Sequence, residues 1–167
     1  AEKIQSWQRR KDGNLELKDS LDAQYPNSNF IILGDFNDAL NKTITTELAP
    51  DTTTSYIDFM NDTLHYKPLT LPLSLAGDQS TTAYATVIDN VIASDEMAIA
   101  YLPGSAKIHK EVAQLISSYS STTSDHYPVQ TNYNLHILGN PVTAENFRAV
   151  VDSGNVKVSW STDYEIN

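Results

Sequence analysis

The spacing of apolar residues divides the chain into stretches of different period. Ile4, Trp7, Leu17, Leu21 and Tyr25 fall near helical spacing with charged residues between them, which predicts an amphipathic helix over residues 2–24. Asp12-Gly13-Asn14 lies inside it and is expected to split it in two, since an interior glycine costs roughly 1 kcal/mol. Phe30–Leu33, "FIIL", is a continuous apolar run of the kind found in strands buried on both faces, and it stops abruptly at "GDFND". Leu40, Ile44 and Leu48 recur every four residues and predict a short helix; Tyr56–Leu64 predicts another. Lys67–Ser80, with two prolines and a glycine, reads as a loop. Ala85–Ala93, "ATVIDNVIA", reads as a second buried strand with an aspartate in its middle. Ala98–Leu102 and Ala106–Ile108 read as short strands, and Tyr127–Leu135, with period-two alternation, as a longer one.

The pattern changes after Leu138. Gly139-Asn140-Pro141 and Asp152-Ser153-Gly154-Asn155 are turn sequences, and the alternating segments "FRAVV" and "VKVSW" predict a hairpin. Two strands do not make a stable β-sandwich by themselves. Residues 1–136 are therefore expected to form an α/β domain, and 137–167 a linker with the first strands of a β domain.

Composition narrows the function. The 167 residues, 40% hydrophobic and 19% charged, suit one globular domain with a real core, and no apolar run is long enough to cross a bilayer. The net charge of −10 should repel polyanions, and there is no basic stripe; a phosphate-bearing substrate would need cations at the site itself. The absence of cysteine excludes disulfides and thiolate metal sites. The opening "AEKIQSWQRRKDG" lacks the apolar core of a signal peptide, so an export signal, if used, is expected outside this chain.

Five polar residues stand where chemistry could be built. In "ILGDFND", Asp35 and Asn37 are two apart at the end of a strand and would point the same way, as a ligand bound at a sheet edge would need. An Asx turn with a helix N-cap explains the same residues equally well. Asp89 interrupts an apolar strand, where an ionised carboxylate costs several kcal/mol unless something faces it. Of the four histidines, His65, His109 and His136 sit in contexts typical of surface or core-filling side chains. His126 follows Asp125 at a strand entrance, and a carboxylate that orients an imidazole and favours its protonated form is a recurrent catalytic arrangement. Asp125 is too near His126 in sequence to orient it. A carboxylate beside a phosphate instead calls for a hard cation between them, Mg²⁺, Mn²⁺ or Ca²⁺.

"GDFND" at 34–38, "IDN" at 88–90 and "SDHYPV" at 124–129, in that order, resemble the C-terminal motifs of the endonuclease/exonuclease/phosphatase superfamily, which includes DNase I-like nucleases, apurinic endonucleases, sphingomyelinases and inositol-polyphosphate phosphatases. The resemblance covers Ile4 to Tyr133 and implies the C-terminal half of a two-sheet α/β sandwich. It implies that Asp35 orients or deprotonates the attacking water and that Asn37 binds the scissile phosphate or helps hold the metal. By the same resemblance Asp89 pairs with His126, His126 contacts the phosphoryl oxygen, and Asp125 joins Asp35 and Asn37 in metal binding. Asn90 departs from the aromatic or histidine residue common at its position, which leaves a substrate contact open.

In that family the first half of the domain supplies a metal-binding glutamate and an asparagine, for which this chain has no counterpart. The chain is thus expected to be half of a site, inactive alone and completed by a missing N-terminal half or a larger assembly. "FRAVVDSGNVKVSWSTDYEIN" resembles the start of the fibronectin-III-like modules of large secreted bacterial enzymes, which implies a secreted or cell-surface parent. The reading is a divalent-metal phosphodiester hydrolase, most simply an extracellular nuclease acting on nucleic acid, with Lys67–Ser80 as its specificity loop. Lipid phosphodiesters or phosphomonoesters fit the same residues. A non-catalytic surface or assembly component that keeps the fold is the alternative of another class.

Overall fold

The computed structural model describes residues 2–138, 144–152 and 155–162. By contact the chain divides into two compact units, Ala1–Asn134 and Leu135–Asn167. The first is mixed α/β with small antiparallel sheets. Its helices are α1 (Glu2–Gln24), α2 (Ile57–Asn61), α3 (Leu71–Leu75), α4 (Asp95–Ala98), α5 (Val112–Leu115) and α6 (Tyr119–Thr122). Strands β1 (Ile31–Asp35), β2 (Tyr66–Pro68) and β3 (Asp89–Ser94) form one sheet in the order β1-β3-β2, and β4 (Lys107–Ile108) pairs with β5 (Val129–Gln130).

Helix α1 runs unbroken through Gly13, against the expected split. Its apolar stripe is buried only in part: Trp7 is buried and Leu21 packs against the core, but Ile4, Leu17 and Tyr25 are exposed, and the polar Asn14 is buried as well. Polar bonds hold the helix down. Trp7 Nε1–H donates to the Thr53 carbonyl at 3.0 Å and Asn14 Nδ2–H to that of Ser55 at 3.1 Å. Lys18 bridges Asp22 and Asp62 at 2.7 and 2.8 Å. Asn14, so anchored, keeps the helix continuous one residue beyond the glycine. A Cβ at Gly13 would meet nothing within 4 Å. Gly13→Ala is therefore expected to stabilise the chain by about 0.5–1 kcal/mol. The check is a higher urea midpoint at unchanged slope, and a lower midpoint would refute it.

The two faces of the three-stranded sheet differ. Ile32 and Ile92, which are register partners, turn toward the core of Phe36, Leu40, Tyr56, Phe59 and Tyr66. Phe36 stacks on Tyr56 with centroids 4.2 Å apart, and Phe59 meets Tyr66 edge-on at 4.8 Å. The opposite face carries Leu33, Asp35, Asp89 and Val91 by strand alternation. The "FIIL" run is therefore not buried on both sides: β1 is an edge strand, and Leu33 is 69% exposed.

Three other expectations change. No helix forms over Leu40, Ile44 and Leu48; a single 3₁₀ turn, Thr46–Leu48, takes its place, because the Ile44 N–H is claimed by the Asp38 carboxylate. Lys67–Ser80 is not a free loop, since it supplies β2 and α3 and buries Leu69, Thr70, Ser74 and Ser80. A free specificity loop cannot be built from it. The strands read over Ala98–Leu102 and Tyr127–Leu135 shrink to an isolated Tyr101–Tyr133 bridge and two-residue β5. In the second unit, β6 (Ala144–Asp152) and β7 (Asn155–Thr162) form the expected antiparallel hairpin. Gly139-Asn140-Pro141 and Ser153-Gly154 lie outside the described residues.

Candidate functional site

The site starts at the end of β1. Gly34 has φ +147°, a conformation that side-chain-bearing residues rarely adopt. Beyond it the Asp35 Oδ1 accepts the Asn37 N–H at 2.8 Å, and Asn37 takes a left-handed φ of 50°. This is the Asx turn expected from the motif. The accompanying N-cap falls away, because no helix follows.

Asp38, one residue on, is the anchor of the turn. Fully buried, its Oδ1 accepts the N–H of Ile44 (2.7 Å) and of Ala39 (3.2 Å), and its Oδ2 accepts the Ser55 N–H and hydroxyl, each at 2.8 Å. Its backbone carbonyl accepts from Asn90 Nδ2 at 3.2 Å. Asn90 is itself 1% exposed, donates to the Val87 carbonyl and accepts from the Thr70 hydroxyl. The departure at Asn90 is thus a buried tie between the two motifs, out of reach of a substrate.

Asp89 is the first residue of β3 rather than the middle of a strand, and lies directly across from Asp35 in the register. Two carboxylates so placed repel each other. A cation beside them relieves this. His126 Nδ1 stands 2.9 and 3.0 Å from the two Asp89 oxygens, with the side chains 18% (Asp89) and 31% (His126) exposed. The hydrogen bond that Nδ1–H donates to Asp89 holds the imidazole above its ordinary pKa against the opposing effect of burial, and the charges of Asp89, Asp35 and Asp125 add to the rise. Since Nδ1 is engaged, Nε2 is the nitrogen left without a partner among the described residues.

Ser80 fixes both partners, a role the sequence reading missed. Its buried hydroxyl accepts the N–H groups of Ile88 (2.9 Å) and Asp89 (3.1 Å), and its carbonyl accepts the Tyr127 N–H at 2.7 Å. Thr81 bridges to His126, and the Thr82 N–H donates to the Asp125 carbonyl at 2.7 Å. From the other side Tyr119 donates to the His126 carbonyl at 2.6 Å. A serine at the end of a Pro- and Gly-rich stretch gives no local sign of this work.

The structure therefore gathers Asp35, Asp89 and Asp125 within electrostatic reach of the His126 imidazole, while Asn37 joins them through its backbone and lines the neighbouring cleft. A hollow of about 190 Å³, bordered by Leu33, Asp35, Asp89, Val91, Tyr127 and Val129, lies on this face. The other histidines sit elsewhere: His65 pairs with Asp62, His109 bonds Glu111 and Gln130, and His136 is exposed.

Among the described residues, no three acidic or imidazole side chains converge on one metal-sized point. Asp35, Asp125 and the Asn37 amide supply hard oxygen donors. Oxygen donors of this type are the kind that hard cations such as Mg²⁺ take, usually roughly one or two carboxylates with water and substrate phosphate. No helix among the described residues is long and apolar enough to cross a membrane. Compared with known proteins, the sequence matches no protein-family model and no curated protein.

Proposed function

We propose that this chain carries half of the active site of a divalent-metal-dependent phosphodiester hydrolase, most simply an extracellular nuclease. The Asp89–His126 pair carries the reading: a partly exposed imidazole, bonded through Nδ1 to a carboxylate that raises its pKa and with Nε2 unpaired among the described residues, suits a developing negative charge. His126 donates from Nε2 to a phosphoryl oxygen, and Asp89 holds the ring and its charge. Asp35 orients the attacking water and accepts its proton, and the Asn37 amide bonds a phosphate oxygen. Asp35, Asn37 and Asp125 would hold Mg²⁺, Mn²⁺ or Ca²⁺, which when bound neutralises the phosphate charge that these carboxylates would otherwise repel.

The same reading places the three-stranded sheet in a two-sheet α/β sandwich, with exposed Leu33 on the side where the second sheet packs. It also makes the terminal hairpin the start of a further module in a secreted or cell-surface protein.

The test is hydrolysis of a phosphodiester by the longest natural chain containing these residues, with each divalent ion in turn. The expected result is activity abolished by chelation and by Asp125→Ala. Activity untouched by either would remove the metal assignment. Complete inactivity with all three ions would favour the reading as a binding component.

A further inference from the structure

A second feature of the same unit is absent from that reading. A cleft of about 800 Å³, within the range of roughly 300–1,000 Å³ typical of ligand pockets, opens between the start of α1, the loop after Asn37 and the segment before β3. The chain as a whole carries 21 carboxylates against 11 lysines and arginines. The cleft reverses that balance, with three cations and two carboxylates on its walls. Of the cations, Lys3 is paired with Glu47 at 2.8 Å. Arg10 and Lys42 have no carboxylate partner among the described residues. The Arg10 Nε–H is moreover buried without an acceptor, which is costly unless a ligand supplies one.

The cleft adjoins the reacting groups. Asn37 and Ile88 line it; the Asn37 N–H is bonded to Asp35, and Ile88 immediately precedes Asp89. The wall also carries Tyr84, 68% exposed, whose N–H is fixed by the Thr81 hydroxyl at 2.9 Å. An exposed ring on an anchored backbone is a surface on which a base stacks.

We infer that this cleft binds the single-stranded polynucleotide flanking the scissile bond, with Arg10 and Lys42 on a neighbouring phosphate and Tyr84 under a base. The inference rests on the phosphodiester reading and specifies its substrate. The His126 site handles one phosphate. Two further unpaired cations beside it answer a substrate that brings a second phosphate, which a simple monoester does not have. They also answer the electrostatic objection raised by the net charge of −10, because the cations are gathered where the strand would lie.

The test is equilibrium binding of a labelled oligothymidylate to the whole chain in EDTA, where no turnover occurs. Lys42 is exposed, so Lys42→Gln is expected to keep the fold and to weaken binding by about threefold to tenfold. Arg10→Gln and Lys42→Gln together should flatten the slope of log Kd against log salt by about 1.4, the value for two phosphate contacts on a single strand. Tyr84→Ala should weaken binding and Tyr84→Trp restore it. An unchanged affinity and salt slope in the double variant would overturn the inference. So would an inositol polyphosphate that binds where oligothymidylate does not, which would reassign the cleft to a small polyphosphate. Oligonucleotide binding with these sensitivities but no hydrolysis in the longer chain would keep the cleft and sink the catalytic reading. Hydrolysis with no effect of the cleft variants on binding would do the reverse.

Discussion

Asp89→Asn is expected to lower phosphodiester hydrolysis by roughly 10²–10⁴-fold in the longest natural chain containing this site, with little change in affinity for substrate. The asparagine keeps the size of the side chain but loses the charge that raises the His126 pKa. With the charge gone, Asp35 and Asp125 are the remaining groups that raise the imidazole pKa, so it falls toward its ordinary value of about 6.5. The alkaline limb of the rate profile should move to lower pH by the same amount. The shift can be followed in the chain itself by NMR titration of the His126 ring, independently of activity. Stability supplies a third reading. A histidine whose pKa is raised on folding contributes stability that is fully present below its unfolded pKa and is lost as pH rises through its folded value. The unmodified chain should therefore lose some stability above about pH 6.5, and Asp89→Asn should lose less over that window. A rate profile and ring titration identical in the two proteins would show that Asp89 does not tune His126.

That Asp89 needs a partner was legible in the sequence, since a carboxylate among the apolar residues of "TVIDNVIA" is expensive unless something faces it; that the partner is His126 came from the motif resemblance, and Asp89 opens β3 rather than interrupting it. The turn at Asp35 was legible too, because glycine and an Asx residue at the end of an apolar run leave the chain few conformations. What could not be read was anything held together by long-range polar bonds. Helix α1 docks through Trp7 and Leu21 of its apolar stripe and also through Asn14 and Lys18, polar residues that apolar spacing could not point to. Ser80 and Asn90 look like ordinary polar residues until their partners at 88, 89, 127, 38 and 70 are brought beside them. The strands after Ala98 were overread for the complementary reason. Alternation was present, but the backbone is taken up by single bridges and by hydrogen bonds to loops, such as Leu102 N–H to the Asn132 carbonyl at 2.8 Å.

Asp38 is the most consequential of the residues that local reasoning passed over, and Asp38→Ala is expected to cost about 3–5 kcal/mol of stability, the largest effect of any single change considered. The carboxylate has no solvent exposure and satisfies three backbone N–H groups and one hydroxyl. Truncation would orphan the buried amides of Ala39 and Ser55 and the part-buried amide of Ile44. Asp38→Asn separates geometry from charge. It retains one acceptor but turns an amide N–H₂ toward Ser55, whose hydroxyl can rotate to accept while its N–H cannot, so a smaller loss of about 1–3 kcal/mol is expected. Urea unfolding measures both, and a cost below about 0.5 kcal/mol for the alanine variant would contradict the anchoring role. The consequence also reaches function. The same carboxylate fixes Ile44, on the wall of the cationic cleft, and stands three residues from Asp35, so even the folded fraction of Asp38→Ala should bind oligothymidylate more weakly. Asp38→Asn, which keeps the Ile44 bond, should retain more of that binding than its stability alone would suggest.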